Sequence, residues 1–157
     1  MPNIAIRHLL LLACLLLTAG RAQALPGCDE VASQLNQRLN PKLDSRELAE
    51  VLSALAQSQF RQLPPKYINK RGAEAAGWRP GKDLWSIPEL KGKSIGGDRF
   101  GNRERALPAG QWREADLHYR GGKRGAKRLL FSSAGQRYVT VDPVSYTHLT
   151  LPTKRIV

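Results

Sequence analysis

The spacing of the apolar residues changes sharply near the middle of the chain. In the first part they recur at helical spacing over Asp29 to Asn40 and over Asp44 to Phe60, which predicts two amphipathic helices. After Trp78, glycine and proline separate four short segments of alternating or β-rich character, KSIGGDRF, QWREADLHY, KRLLFSS and QRYVTVD. Such segments are typical of antiparallel strands.

Shorter signals place the ends of these elements. Asp44 or Ser45 can cap the second helix, and KRGAEAAG predicts a third, short helix over Lys70 to Ala76 that ends at Gly77. Helices followed by strands predict an α+β domain, with N-terminal helices packed on a twisted antiparallel β-sheet. No internal repeat or low-complexity linker interrupts the sequence, so we predict one domain over residues 25–142.

The first 24 residues have the pattern of a signal peptide. Arg7 precedes an apolar run from Leu9 to Thr18, and small residues up to Ala24 suit cleavage after that position. The run is shorter than the roughly 20 residues of a membrane-spanning helix. A lipoprotein signal ending at Cys14 or Cys28 is the alternative. We expect a secreted protein, extracellular or periplasmic, with no membrane association after cleavage.

The charge of the chain favours an anionic partner. Its formal net charge is +12, and +10 without Arg7 and Arg21 of the leader. Basic surfaces bind polyanions through phosphate contacts and counterion release, although a surface kept basic for solubility or wall adhesion is the alternative. Only Cys28 remains after cleavage. It is either free or has its partner outside this sequence.

The run WREADLHYRGGKRGAKRLLFSS concentrates charge around a glycine-rich turn. Period two places Glu114 and Asp116 on one strand face, to which Arg124 and Arg128 of the hairpin can present guanidinium groups. RNA transesterification needs such an arrangement, with a base for the ribose 2′-hydroxyl and cations for the charge growing on phosphorus. A cross-strand ladder of salt bridges on a solvated face is the alternative interpretation.

The sequence from Leu63 to Asp142 resembles the barnase-like, guanyl-preferring bacterial ribonucleases of the microbial ribonuclease N1/T1 family. SIGGDRFGNRE and WREADLHY carry the resemblance through their mutual spacing. It implies the microbial ribonuclease fold, with cleavage of single-stranded RNA after guanosine. The product is a 2′,3′-cyclic phosphate that is then hydrolysed, with no metal or other cofactor. A barstar-like intracellular inhibitor is the protein partner that the resemblance implies.

The resemblance also implies the role of each matching residue. Glu114 falls at the position of the general base, and Lys70 at that of the lysine that stabilises the pentacoordinate phosphorus. Arg124 and Arg128 fall at the positions of two active-site arginines. The sequence has no cluster of His, Cys or paired carboxylates at metal-ligand spacing, and we expect His118 on the strand surface.

The segment GNRE, which comprises Gly101, Asn102, Arg103 and Glu104, matches the guanine-recognition loop of the family. The resemblance implies that Glu104 accepts hydrogen bonds from guanine N1 and N2 while backbone amides donate to O6. Gly101 stands where the family has Ser, and we expect guanine preference to survive the change. Without its place after SIGGDRF, GNRE would be an ordinary turn sequence.

After Asp142 the sequence departs from the family. The family continues with His and Tyr, and that His is the general acid for the leaving 5′-oxygen, whereas Pro143 and Val144 follow here. His148 is the nearest substitute. The segment PVSYTHLTLPT, from Pro143 to Thr153, resembles the read-through translation of a sequencing adapter, so we expect residues 143–157 to be a non-native tail.

Two consequences follow from that expected tail. The chain as written would lack its general acid and be an impaired enzyme, or alternatively a catalytically silent module that binds RNA or another polyanion. It would also lack a last strand, which would leave Gln136 to Asp142 as an unpaired sheet edge.

Overall fold

Both predicted N-terminal helices form, within a few residues of the expected ends. The computed structural model describes residues 27–142 in full and, beyond them, the backbone of residues 145–149. Helix α1 spans Cys28–Arg38 and helix α2 spans Ser45–Gln57. Asp44 caps α2, because its carboxylate accepts a hydrogen bond from the Glu47 amide at 3.1 Å. The predicted signal peptide lies outside the described residues.

The third helix, α3, spans Lys70–Ala75. The Asn69 side chain caps its start by accepting from the Gly72 amide. Gly77 follows its end with a φ of 104°, a conformation that favours glycine. Two single 3₁₀ turns, Leu84–Ser86 and Pro88–Leu90, then lead into the sheet.

A six-stranded sheet follows the order of the strands in the chain. The strands are β1 (Tyr67–Ile68), β2 (Ser94–Phe100), β3 (Trp112–Asp116), β4 (Arg128–Ser132), β5 (Arg137–Asp142) and β6 (Ser145–Leu149). Strand β1 pairs with β2 in parallel, and every later pair is antiparallel. The α+β fold class is confirmed, and β2 to β5 are the four predicted strands.

Strand β5 is covered by β6, so the expectation that Gln136 to Asp142 would be an unpaired edge is wrong. Arg137 lies opposite Leu149, and Tyr138 lies opposite His148. A backbone ladder needs only peptide N–H and C=O groups, and the tail segment SYTHL carries Tyr and Thr, which favour strands. The origin of residues 143–157 stays a prediction.

The main core lies between the two long helices and one face of the sheet. The helices contribute mostly leucines, and the sheet contributes Ala115, Leu129, Phe131 and Val139. Since side chains alternate along a strand, Glu114 and Asp116 lie on the other face. That face therefore carries the charged site. Within the described part of the chain, no helix combines the length and apolar character needed to cross a membrane.

Candidate active site

Glu114 lies at the centre of a cluster of cations. Its side chain, on β3, is only 12% exposed. Lys70 Nζ lies 2.9 Å from Oε1, Arg124 Nη2 lies 3.7 Å from Oε1, and Arg128 Nε lies 3.6 Å from Oε2. The fold thus brings together the four residues to which the sequence assigned catalysis, from α3, β3, β4 and the hairpin turn.

Asp116 fixes the two arginines beside Glu114. Arg124 donates to both of its carboxylate oxygens, at 2.6 and 2.7 Å, and Arg128 Nη1 lies 3.2 Å from Oδ1. Burial opposes the charge of Arg124. The hydrogen bonds from Arg124 to Asp116 and the negative charges of Asp116 and Glu114 outweigh that effect and raise the pKa of Arg124, so it stays cationic.

These contacts bear on the alternative of a solvated salt-bridge ladder. Asp116 and Arg128 are indeed direct partners across β3 and β4. The Asp116 side chain, however, is 3% exposed and that of Arg128 is 21% exposed. The ladder exists, but it lies in a partly buried cleft rather than on a solvated face.

The corner between β1 and α3 positions Lys70. The backbone N–H of Lys70 donates to Asp98 Oδ2 at 3.0 Å, which ties the start of α3 to β2. The hydroxyl of Tyr67 donates to the backbone carbonyl of Asp116 at 2.8 Å, and burial raises the pKa of Tyr67, which therefore stays protonated. Both contacts hold the Lys70 ammonium against the strand that carries Glu114.

The loop from Gly101 to Glu104 lines a cavity next to Glu114. The Asn102 side chain braces the loop, because it donates to the Leu107 carbonyl at 2.8 Å and accepts from the Leu107 amide at 3.0 Å. The cavity measures about 440 Å³ and is lined by all four loop residues together with Lys70, Arg99, Phe100, Ala106 and Glu114. One pocket therefore joins the predicted base to the predicted guanine loop. Arg124 and Arg128 contact Glu114 without lining it.

Sequence reasoning missed a second charged cluster. His118 is exposed as expected, but it follows β3 with a φ of 59°. One possible ligand atom each from Asp44, Glu47 and His118 lies within 4.8 Å of the others, although 71 positions separate Glu47 from His118. The two carboxylates already contact cations of the protein, Lys66 at 2.8 Å from Glu47 and Arg120 at 3.0 Å from Asp44. We assign no ligand to this cluster.

The backbone of His148 lies far from that of Glu114. A row of paired residues crosses the sheet from Glu114 through Leu130 and Tyr138 to His148. Neighbouring strands are about 4.8 Å apart, so the three steps separate the two backbones by about 14 Å. The side chain of His148 is outside the described part of the structure.

A partly buried carboxylate among three cations, beside an open cavity, is an arrangement that could accept a proton next to a bound phosphodiester. The ribonuclease family matches residues 53–150, a range that includes β6. Because this range is more than half of the sequence, the chain belongs to the ribonuclease family.

Three ribonucleases are similar to this chain. That of Heyndrickxia coagulans is 46% identical over 88 residues, which cover 54% of this chain and 79% of that protein. Those of Bacillus intermedius and Bacillus pumilus are also 46% identical over 88 residues, which cover 54% of this chain and 53% of each protein. The chain thus spans about half the length of the two Bacillus proteins.

Proposed function

We propose that this ribonuclease is a secreted endoribonuclease that cleaves single-stranded RNA after guanosine, without a metal ion. The observation that carries the proposal is the Glu114 carboxylate, which is mostly buried and has three cations within 3.7 Å of its oxygens. A carboxylate in this position can accept a proton, and the surrounding cations can stabilise an anion that forms beside it.

In the first step Glu114 accepts the proton of the ribose 2′-hydroxyl. The 2′-oxygen forms a bond to phosphorus, the bond from phosphorus to the 5′-oxygen breaks, and a 2′,3′-cyclic phosphate remains. Negative charge grows on the non-bridging phosphate oxygens. Lys70, whose side chain is 39% exposed, can turn from Glu114 to these oxygens, while Arg124 and Arg128 are held in place by Asp116.

Guanine recognition is assigned to Gly101, Asn102, Arg103 and Glu104. Glu104 is exposed in the loop that lines the cavity beside Glu114, so a base in that cavity would place its ribose near Glu114. A carboxylate accepts the N1 and N2 hydrogens of guanine. Adenine has an acceptor at N1 and no amine at C2. It would therefore leave the Glu104 carboxylate without a hydrogen-bond donor.

The departing 5′-oxygen needs a proton from a general acid. In the hydrolysis of the cyclic phosphate the same group must instead accept a proton from the attacking water, while Glu114 returns its proton to the 2′-oxygen. Pro143 occupies the position where the resemblance places a general acid, and the His148 backbone is three strands from Glu114. Water would then serve as the acid. We expect this chain to be slower by at least about a hundredfold than one with the His in place.

A silent RNA- or polyanion-binding module is the second candidate function. The sequence after Asp142 favours it, since Pro143 stands where the resemblance places the general acid His. In either case the cationic cleft would suit an acidic inhibitor of the barstar type in the producing cell.

The rates at which the unmodified chain and Glu114→Gln cleave the dinucleotide GpU distinguish an active ribonuclease from a silent binding module. Gln keeps the shape of Glu114 but cannot accept the proton, so we expect the rate to fall by about 10² to 10⁴. Glu50→Gln, an exposed position on α2, is the matched control and should retain the rate. Equal rates for the two variants would exclude Glu114 as the base, and no cleavage by the unmodified chain would favour the binding module.

A further inference from the structure

Arginines collect on the sheet face that lies away from Glu114. Arg113 alternates with Trp112 and Glu114 on β3, and therefore points to the opposite face. Its direct partner on β2 is Arg99, and its partner on β4 is Phe131, which in turn pairs with Arg137. Four arginines of this region, Arg61, Arg99, Arg113 and Arg137, form no ion pair with any residue that the structure describes.

This arrangement costs the isolated protein stability. Like charges placed directly opposite each other across two strands, as Arg99 and Arg113 are, destabilise a sheet. Arg137 is only 4% exposed, its Nε has no hydrogen-bond partner among the described residues, and its guanidinium lies 4.7 Å from the centre of the Phe60 ring. An anion bound between the exposed Arg99 and Arg113 would offset the repulsion between them.

Three of these arginines, Arg61, Arg99 and Arg113, line a continuous groove, whereas the buried Arg137 lines neither of its two cavities. Two neighbouring cavities, of about 500 and 340 Å³, share Arg61, Arg113 and Phe131 in their walls. None of the described residues that line either cavity is acidic. Phe60, which is partly exposed, adds aromatic surface to the larger cavity. We call these two cavities together the arginine groove.

The arginine groove adjoins the candidate active site. Arg99 lines both the larger cavity of the groove and the cavity that holds Glu114 and the guanine loop. A chain that leaves the catalytic cavity past Arg99 would therefore enter the groove directly. Cationic grooves with aromatic walls are the usual way in which proteins bind single-stranded nucleic acid without sequence preference.

We propose that the arginine groove binds the phosphate backbone of single-stranded RNA that flanks the cleaved guanosine. This inference rests on the proposed function for its substrate, but it concerns a separate surface. Arg61 and Arg113 contact phosphates, and the partly exposed Phe60 offers aromatic surface to a base. The groove raises the affinity for long RNA and leaves the chemistry at a dinucleotide unchanged.

The test compares Arg61→Gln/Arg113→Gln with the control Arg38→Gln/Arg46→Gln, which removes the same charge from exposed helix positions. The binding probe is a fluorescent 2′-O-methyl RNA of about 20 nucleotides, which lacks the nucleophile and cannot be cleaved. We expect the groove variant to bind it about tenfold more weakly. The slope of log affinity against log salt should fall in magnitude by about 1.4, which corresponds to two phosphate contacts on a single strand.

Cleavage of GpU separates this inference from the proposed function. The groove variant should cleave GpU at the rate of the unmodified chain. If the control variant loses as much affinity for the long RNA as the groove variant, net charge explains binding and the groove is excluded. A parallel loss of GpU cleavage by the groove variant would also overturn the inference. If the unmodified chain does not cleave GpU, the proposed function fails while the binding comparison still decides the groove.

Discussion

Two carboxylates on β3, two positions apart, have different surroundings, which suit them to different roles in the proposed mechanism. Asp116 is 3% exposed and accepts two short hydrogen bonds from Arg124, so its lone pairs are committed to the protein. Glu114 is 12% exposed, lies beside an open cavity, and has two of its three cations at 3.6 to 3.7 Å. Glu114 is thus the carboxylate that substrate can reach.

At the same scale, replacing Glu104 should change the preference between GpU and ApU, whereas replacing Arg124 should not. Glu104→Ala removes the acceptor for guanine, so it should reduce cleavage of GpU far more than cleavage of ApU. Arg124→Ala removes the proposed phosphate contact, which both substrates would share, so it should slow both alike. The ratio of kcat/KM for the two dinucleotides measures this. An equal loss on both substrates for Glu104→Ala would contradict the role of the loop.

At the scale of elements, the packing of β1 against β2 holds the corner that presents Lys70. Gly96 on β2 permits this approach, because a Cβ there would lie 2.5 Å from Cδ1 of Tyr67 and 3.0 Å from Cδ1 of Leu63. Tyr67 in turn bonds to the backbone of Asp116. The close contact of the two strands therefore supports the active site.

Gly96→Ala should destabilise the protein by about 1 to 3 kcal/mol, since the ring of Tyr67 must shift. Gly125→Ala is the matched control, because a Cβ there meets nothing within 4 Å; it should be neutral or raise stability slightly. Urea denaturation measures both free energies of unfolding. Equal stability of the two variants would show that β1 is free to move away from β2.

The cap of α2 should give a pH-dependent contribution to stability. The N–H of Glu47 lowers the pKa of Asp44; burial opposes this, and the charge of Arg120 adds to the lowering. Because the folded-state pKa lies below that of the unfolded chain, the ionised cap stabilises the fold above the ordinary carboxyl range, and this stability is lost as the pH falls through the lowered pKa.

Asp44→Asn keeps a capping side chain but has no charge. At neutral pH it should be less stable than the unmodified chain, and the difference should shrink as the pH falls through the lowered pKa of Asp44. Thermal unfolding between neutral pH and pH 3 gives this comparison. A stability difference that stays constant over that range would contradict the charge effect.

The sequence predicted those elements whose pattern is local. Period two was enough to place Glu114 and Asp116 on one face, and apolar spacing was enough for both long helices. Strand β1 was missed because two residues carry no periodicity. The pairing of Arg99 with Arg113, and the contact of Glu47 with His118, depend on register and long-range packing, which no local pattern specifies.

At the scale of the whole molecule, the pairing of the last sheet edge and the supply of a general acid can be tested independently. Since β6 covers β5, replacing residues 143–157 by a His-Tyr strand of the family type should change solubility little. Activity on GpU should rise by at least about a hundredfold, because the new His protonates the 5′-oxygen. The same strand with Ala for that His should stay as slow as the present chain. If the present chain already cleaved GpU as fast as the form with the restored His, His148 would have to be the general acid.

The identity of the products tests the central claim most directly. An RNA with a single guanosine is incubated with the unmodified chain and with Glu114→Gln, with and without EDTA, and both fragments are identified by mass. We predict a 5′ fragment that ends in guanosine 2′,3′-cyclic phosphate and a 3′ fragment that begins with a 5′-hydroxyl. EDTA should not change these products, and Glu114→Gln should form them far more slowly. Fragments with a 5′-phosphate, cleavage away from the guanosine, or loss of cleavage in EDTA would contradict transesterification by Glu114.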